Sequence, residues 1–404
     1  MPTRPVTLLC LASYVKGQEF LRESRRLGNR TILLTAAKHR DADWPRESLD
    51  EFLMRPSLTN REDVLNGVSY LARHERIDRV VPLDEFDLEM AATIREHMRA
   101  PGMGESATRH FRDKLAMRVR ARQQGVLVPE FVPLFNYDAV REFLATVPPP
   151  WILKPRFSAS AIGMRKLDDA EELWRTLDEL GDRQSFHLVE RFVHGDVLHV
   201  DSVVWDAQVR FAEASEYVTP PFDVYHGGGL FATGVVERGS EGYDELLAAN
   251  RQIAAALAME RGVLHTELIR GAEDGRVYFL ETAARVGGAH IVEMLEAATG
   301  VNLWREWARV ETAAARGSAY EVTPLRHEYA ALLVSLARQE WPDTSAYADP
   351  EIVKRVVKKH HAGLVVASPD AGRVRALLDD YARRFRDDFV ASMPALQDAS
   401  QATD

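Results

Sequence analysis

The stretch YFLETAARVGG, residues 278–288, ends an apolar run in a carboxylate, Glu281, with Arg285 four residues on and the paired glycines Gly287 and Gly288 beyond it. A strand that only fills a core has no use for such an ending. Negative charge, positive charge and bare backbone meet at one corner, as a site for a cation and an anion together requires.

Working upstream, GVLHTELIRGAEDGRVYFLET (262–282) reads as a hairpin, two apolar strands joined by the turn GAEDG. A period of two places Val263, His265, Glu267 and Ile269 on one face of the first strand, and Val277, Phe279 and Glu281 on one face of the second. With the turn centred near Glu273, Glu267 and Glu281 become neighbours across the ladder. Two carboxylates about 5 Å apart repel by roughly 3 kcal/mol at an effective dielectric near 20. A divalent cation between them reverses that cost, and oxygen-only ligation favours magnesium or manganese over zinc. A lone glutamate at a sheet edge ordinarily pairs with a lysine or arginine; two in this register, beside Arg285, point to a metal. Gly287 and Gly288 are expected to open the helix AHIVEMLEAATG (289–300), whose first N–H groups can receive an anion.

A second set of signals lies further upstream. WILKP (151–155) puts Lys154 at a strand end, and RFSASAIGM (156–164) follows with small residues, Ser158, Ser160 and Gly163 among them, whose backbone can approach phosphates. HLVERFV (187–193) is an apolar strand holding Glu190, and its end at Phe192 and Val193 offers N–H and C=O groups to the edge of adenine. His187, His194 and His199 show no metal-ligand spacing and read as ordinary strand and turn residues; His265 could orient Glu267 or simply be a satisfied core histidine. His290 is a candidate for the acceptor side, and the loop YHGGGLFATG (225–234), ahead of Arg238, is either a cover for the substrate or a plain surface loop.

The first hundred residues alternate strand and helix signals, the pattern of a small doubly wound α/β unit, with Asp84 and Glu85 at its rim either for a ligand or as helix caps. PGMGESA (101–107) imitates a dinucleotide fingerprint but follows a helix and a proline, so it reads as a turn, and no P-loop motif occurs. A basic helix is expected from Phe111 through FRDKLAMRVRARQQG. The 404 residues, 46% hydrophobic and 28% charged, suffice for two or three cored domains. A net charge of -10 with both signs mixed argues against a nucleic-acid binder, and the single Cys10 removes disulfide frameworks and cysteine-based zinc sites. The apolar start is short and broken by Lys16, so it reads as a strand and not a signal peptide, and no run approaches the roughly 20 apolar residues of a membrane span. A soluble, cytoplasmic protein without membrane or nucleic-acid partners is the expectation.

Taken together, RDKLAMR (112–118), ILKPRFSASAIG (152–163), LVERFVHGD (188–196), HTEL (265–268) and FLETAARVGG with the following AATG make the chain resemble the ATP-grasp superfamily, and more closely its carboxylate–amine (L-amino acid) ligases, over nearly the whole length. The resemblance implies an α/β fold, α+β in the nucleotide region. An N-terminal Rossmann-like pre-ATP-grasp domain (1–110) would be followed by a small lid with the phosphate loop (111–195), a C-terminal magnesium-binding lobe (196–320) and an α/β extension with a frayed tail (321–404). It implies Lys114 and Lys154 on ATP phosphates with the loop of Ser158, Ser160 and Gly163, Glu190 with the backbone of Phe192 and Val193 on adenine, and Glu267 and Glu281 on Mg2+, with Mn2+ as the substitute. Arg285 would stabilise the transferred phosphoryl group, with Lys154 assisting. Gly287, Gly288, His290 and Arg238 would border the substrates, a small carboxylate and an amine of the amino-acid class; a homodimer is one option for assembly. Two features depart from the family pattern: Ala283 stands where an asparagine often supplies a further metal ligand, and the phosphate loop has only Gly163 where several glycines are common. The rival readings are a carboxylase-type member that phosphorylates bicarbonate and a nucleotide-binding regulator without turnover.

Overall fold

A computed structural model describes residues 4–158 and 161–391. Three sheets organise the chain. The first is parallel, built from β1 (Thr7–Ala12), β2 (Arg30–Ala36), β3 (Glu51–Arg55) and β4 (Arg79–Pro82) in the order β3-β2-β1-β4. β1, TLLCLA, is buried at every position, as a parallel strand covered on both faces must be. The expected α/β unit is present. Beyond β1, Ser13 donates from its N–H to Asp87 at 2.8 Å, and beyond β4 Asp84 pairs with Lys16 at 2.5 Å and accepts from the N–H of Phe86.

The expected single basic helix from Phe111 is two, Glu105–Arg112 and Lys114–Gln123. Asp113 breaks them because its extended backbone and its carboxylate, which accepts from the N–H of Leu115 at 3.1 Å, start a new helix. The same carboxylate pairs with Arg156, and the Lys114 N–H donates to the Arg156 carbonyl at 2.9 Å. Lys114 is thus fixed at the first position of its helix.

The second sheet is antiparallel: β5 (Phe131–Pro133), β6 (Trp151–Pro155), β7 (Arg165–Leu167) and β8 (His187–Arg191), ordered β5-β8-β6-β7. Trp151, Leu153 and Val189 pack with Leu173 and Leu177 of helix Ala170–Leu180 and Val140 of helix Tyr137–Thr146. Alternation then sends Ile152, Lys154, Leu188 and Glu190 to the other face. Leu188 there joins a core with residues of the third sheet, so this face looks inward.

That third sheet has eight strands: β9 (Gly195–Trp205), β10 (Gln208–Tyr217), β11 (Leu230–Val235), β12 (Gly262–Gly271), β13 (Val277–Ala283), β14 (Tyr329–Leu336), β15 (Ile352–Lys358) and β16 (His361–Ser368), ordered β13-β12-β9-β10-β11-β14-β16-β15. Residues 321–391, within the expected α/β extension, supply three strands of this same sheet. Helices Ile291–Thr299 and Leu303–Arg316 share a core with β1 residues Leu8 and Cys10, which joins the first and third sheets. Among the described residues no helix is long and apolar enough to cross a membrane.

Candidate active site

β12 and β13 pair with Glu267 directly opposite Glu281, the register expected from the turn. A bulge at Leu280 shifts the rest: Leu268 faces Phe279 and Ile269 faces Tyr278. Phe279 therefore does not share the face of Glu281, as a strict period of two had implied, but packs in the core behind the sheet. β9 continues the rows. His199 is level with Glu267 and Asp201 with His265, so the same face carries His199, Glu267 and Glu281 in one row and Asp201, His265 and Ala283 in the next.

Lys114 bridges β13 and the segment that follows β6. Its Nζ is 2.9 Å from Glu281 Oε2 and donates to the Ser158 carbonyl at 2.8 Å. Glu267 and Glu281 keep 22% and 25% of their side chains exposed. On the inward face of the second sheet, in the region expected as the lid, Lys154 Nζ is 2.8 Å from Glu190 Oε2, Arg118 Nε of helix Lys114–Gln123 is 2.6 Å from Glu190 Oε1, and Arg118 Nη2 donates to Oε2 at 3.2 Å. Burial raises the Glu190 carboxyl, but Arg118 and Lys154 outweigh it and hold it below its ordinary range. Glu190, expected on adenine, is a fully buried counter-ion that fixes Lys154. The Phe192 N–H, also expected there, is taken by the Pro150 carbonyl at 3.0 Å; no described residue bonds the Val193 N–H. Gly163 holds φ at 72° in the turn ahead of β7, at the end of the expected phosphate loop, and Ser160 lies outside the described residues.

Arg285 contacts the first domain: its Nε is 3.1 Å from Glu85 Oε2, and Arg112 Nη1 is 3.6 Å from Oε1 of the same glutamate. The helix after the paired glycines starts only at Ile291, behind Ala289 and His290 at φ 50° and 67°. Its first N–H groups are partly spent, since Ile291 donates to the Gly288 carbonyl and Glu293 to that of His290, which weakens the expected anion role. A Cβ on Gly287 would lie 2.9 Å from Asp201 Oδ1 and 3.0 Å from His265 Nδ1, so glycine is needed for close approach there. His290 pairs with Glu293 at 3.0 Å, which Lys354 also holds, and Arg238 is bound to Glu213 and the Glu328 carbonyl. Both are thus held by partners other than Glu267 and Glu281.

Asp201 and Tyr217 escaped the sequence reading, and His199, read as an ordinary strand residue, joins them. Asp201 accepts from His265 Nδ1 at 2.9 Å through one oxygen and from His199 Nδ1 at 2.6 Å through the other. Burial opposes its charge, yet the two imidazoles drive its carboxyl far below the ordinary range. Burial alone would lower His265, but Asp201 and Glu267 lift it to about 9, while burial keeps His199 below its usual value. His199, Asp201 and His265 are close enough to hold an ion, but both carboxylate oxygens already accept from ring N–H groups, which makes this a closed hydrogen-bonded group. His265 Nε2 is 3.7 Å from Glu267 Oε1, and the Tyr217 hydroxyl donates to that same oxygen at 3.3 Å. The spacing of His199 and Asp201 on β9 was the available signal, usable only once β9 was known to lie beside β12.

No family model matches the chain. It is 24% identical over 233 residues to an L-arginine-specific L-amino acid ligase of Bacillus subtilis, a match covering 56% of this chain and 56% of the relative. The chain thus spans about half the length of the curated relative. Among solved structures, an L-amino acid ligase from Bacillus licheniformis superposes with a TM-score of 0.75 at 17% identity, over 97% of this chain and 100% of that one. A carboxyaminoimidazole ribonucleotide synthase from Aspergillus clavatus, complexed with ATP, gives 0.71 at 16% identity over 95% and 99%. With this likeness over nearly its full length, the chain adopts the ATP-grasp fold.

Proposed function

We propose that the chain is an ATP-dependent carboxylate–amine ligase that joins two small substrates of the amino-acid class through an acyl phosphate. The observation that carries this reading is Glu267 facing Glu281 in register, with Lys114 in contact below the phosphate loop. Their oxygen-only donor set and partial exposure fit Mg2+, or Mn2+ in its place. Ala283 adds no ligand, so water would complete the set. Bound there, the ion would neutralise phosphate charge.

The chain's own residues then divide the work. Lys154, held by Glu190, and Lys114 would position phosphate oxygens, and the Val193 backbone would meet adenine. A carboxylate oxygen attacks the γ-phosphorus, the bond to the β,γ-bridging oxygen breaks and ADP leaves. The amine nitrogen then attacks the acyl carbon, the C–O bond to phosphate breaks, and the amine proton passes to solvent. Arg285 would meet the charge on the transferred group, exchanging its contact with Glu85. The fold is also compatible with a bicarbonate-phosphorylating reading, because a biotin carboxylase domain in complex with ADP and bicarbonate superposes with a TM-score of 0.68. The curated relative favours the amino-acid ligase. We place the activity in the cytoplasm, where ATP and amino acids are both at hand.

Pairs of amino acids screened for ATP-dependent phosphate release provide the test. One ADP and one phosphate per amide are expected, with an acyl phosphate trapped by hydroxylamine when the amine is withheld. AMP and pyrophosphate as the products would overturn the mechanism.

A further inference from the structure

We infer that Tyr217 and the Asp201–His265 pair clamp one oxygen of Glu267 so that the other alone is offered to a cation, and that this clamp makes the site select a small octahedral ion over calcium. The inference rests on the metal role proposed above for Glu267. Its basis is the asymmetry of one carboxylate. Oε1 of Glu267 receives the Tyr217 hydroxyl at 3.3 Å and faces His265 Nε2 at 3.7 Å.

Neither partner is free to drift. His265 is tied through Nδ1 to Asp201, whose second oxygen is taken by His199, itself 2.9 Å from the Thr233 hydroxyl. The backbone of Gly287 closes over Asp201 and His265. Tyr217 is wedged between the rings of His199, centroids 4.7 Å apart, and Phe231 at 5.5 Å. All of these side chains project from neighbouring strands of one sheet, so the clamp is as rigid as the sheet.

Cation choice follows from coordination number. Calcium takes six to eight oxygens and commonly uses both oxygens of a carboxylate, whereas magnesium keeps a compact octahedron in which one oxygen per carboxylate suffices. Holding Oε1 away denies the site its two-oxygen mode at Glu267. Tyr217, His265 and Asp201 are positioning residues in this scheme, acting through Glu267.

The test uses the full chain with ADP present. Bound Mn2+ is followed by its electron paramagnetic resonance signal, and Mg2+ or Ca2+ is added as competitor; the ratio of the two displacing concentrations is the readout. Wild type is expected to bind Mn2+ and to prefer Mg2+. Tyr217→Phe, which keeps the ring packing, is expected to shift the ratio toward Ca2+ by about ten-fold with an unchanged unfolding midpoint. His265→Gln is expected to shift it further; if it fails to fold, Tyr217→Phe decides alone. An unchanged ratio in folded Tyr217→Phe overturns the inference and leaves the ligase reading standing. Absence of Mn2+ binding beyond that of ADP itself in wild type overturns the metal reading and the inference with it.

Discussion

The lid and the eight-stranded sheet each bury carboxylates and cations where they meet, but in opposite proportion. In the lid one carboxylate, Glu190, serves two cations, Lys154 and Arg118. On the sheet three carboxylates, Asp201, Glu267 and Glu281, face two cations: Lys114 meets Glu281, and His265 lies between Asp201 and Glu267. One wall therefore keeps spare positive charge and the other spare negative charge. On the function proposed above, phosphate would meet the first and a divalent cation the second, and nucleotide with its metal would match both at once. The lid pairs are permanent because they are dry; the Lys114–Glu281 contact is partly exposed and can be exchanged.

Removing the shared carboxylate of the lid gives the largest expected effect. Glu190→Gln strands Arg118 and Lys154 without a counter-charge in a buried place, and a loss of about 3–5 kcal/mol in unfolding free energy is expected from denaturant titration. A loss under about 1 kcal/mol would show that the lid ion pairs are as exchangeable as those of the sheet.

Glu281→Gln is expected to do the reverse. It relieves repulsion with Glu267, so stability should hold, while turnover in the amino-acid assay falls by about two to three orders of magnitude for want of a charged metal ligand. Wild-type turnover in this variant would refute the metal role. Equal destabilisation by both glutamine variants would dissolve the contrast between the two walls.

The same contrast shows what could be read from the amino-acid sequence. The Glu267–Glu281 pairing was legible because a short turn fixes its register locally, and Lys154 because alternation in WILKP separates it from Trp151 and Leu153. The bulge at Leu280 was not, since nothing local distinguishes a bulged leucine from a paired one, and Phe279 was assigned to the wrong face as a result. Asp201 meets His265 across 64 residues of sequence, and Glu190 meets Arg118 across 72. Such contacts follow from which strands and helices become neighbours, a long-range property no single window reveals. For the same reason the strands after residue 321 could be found as strands but not placed in the metal-bearing sheet.

The two lysines give the smallest and most discriminating effects. Lys154 is bonded to Glu190, which has no part in binding the cation, whereas Lys114 occupies an oxygen of Glu281 that the cation itself would use. Lys154→Ala should therefore weaken nucleotide binding, by about one to two orders of magnitude or roughly 1.5–3 kcal/mol for a charge-assisted contact, and leave cation binding alone. Lys114→Ala should weaken nucleotide binding to a similar degree but tighten Mn2+ binding when nucleotide is absent, because a competing ammonium has gone. The gain is expected to be only a few-fold, since a partly exposed pair is worth about 0–1 kcal/mol. Calorimetry of ADP and of Mn2+ on the same two variants measures both signs. If Lys154→Ala and Lys114→Ala change Mn2+ binding alike, the Lys114–Glu281 contact is no different in kind from the pairs of the lid.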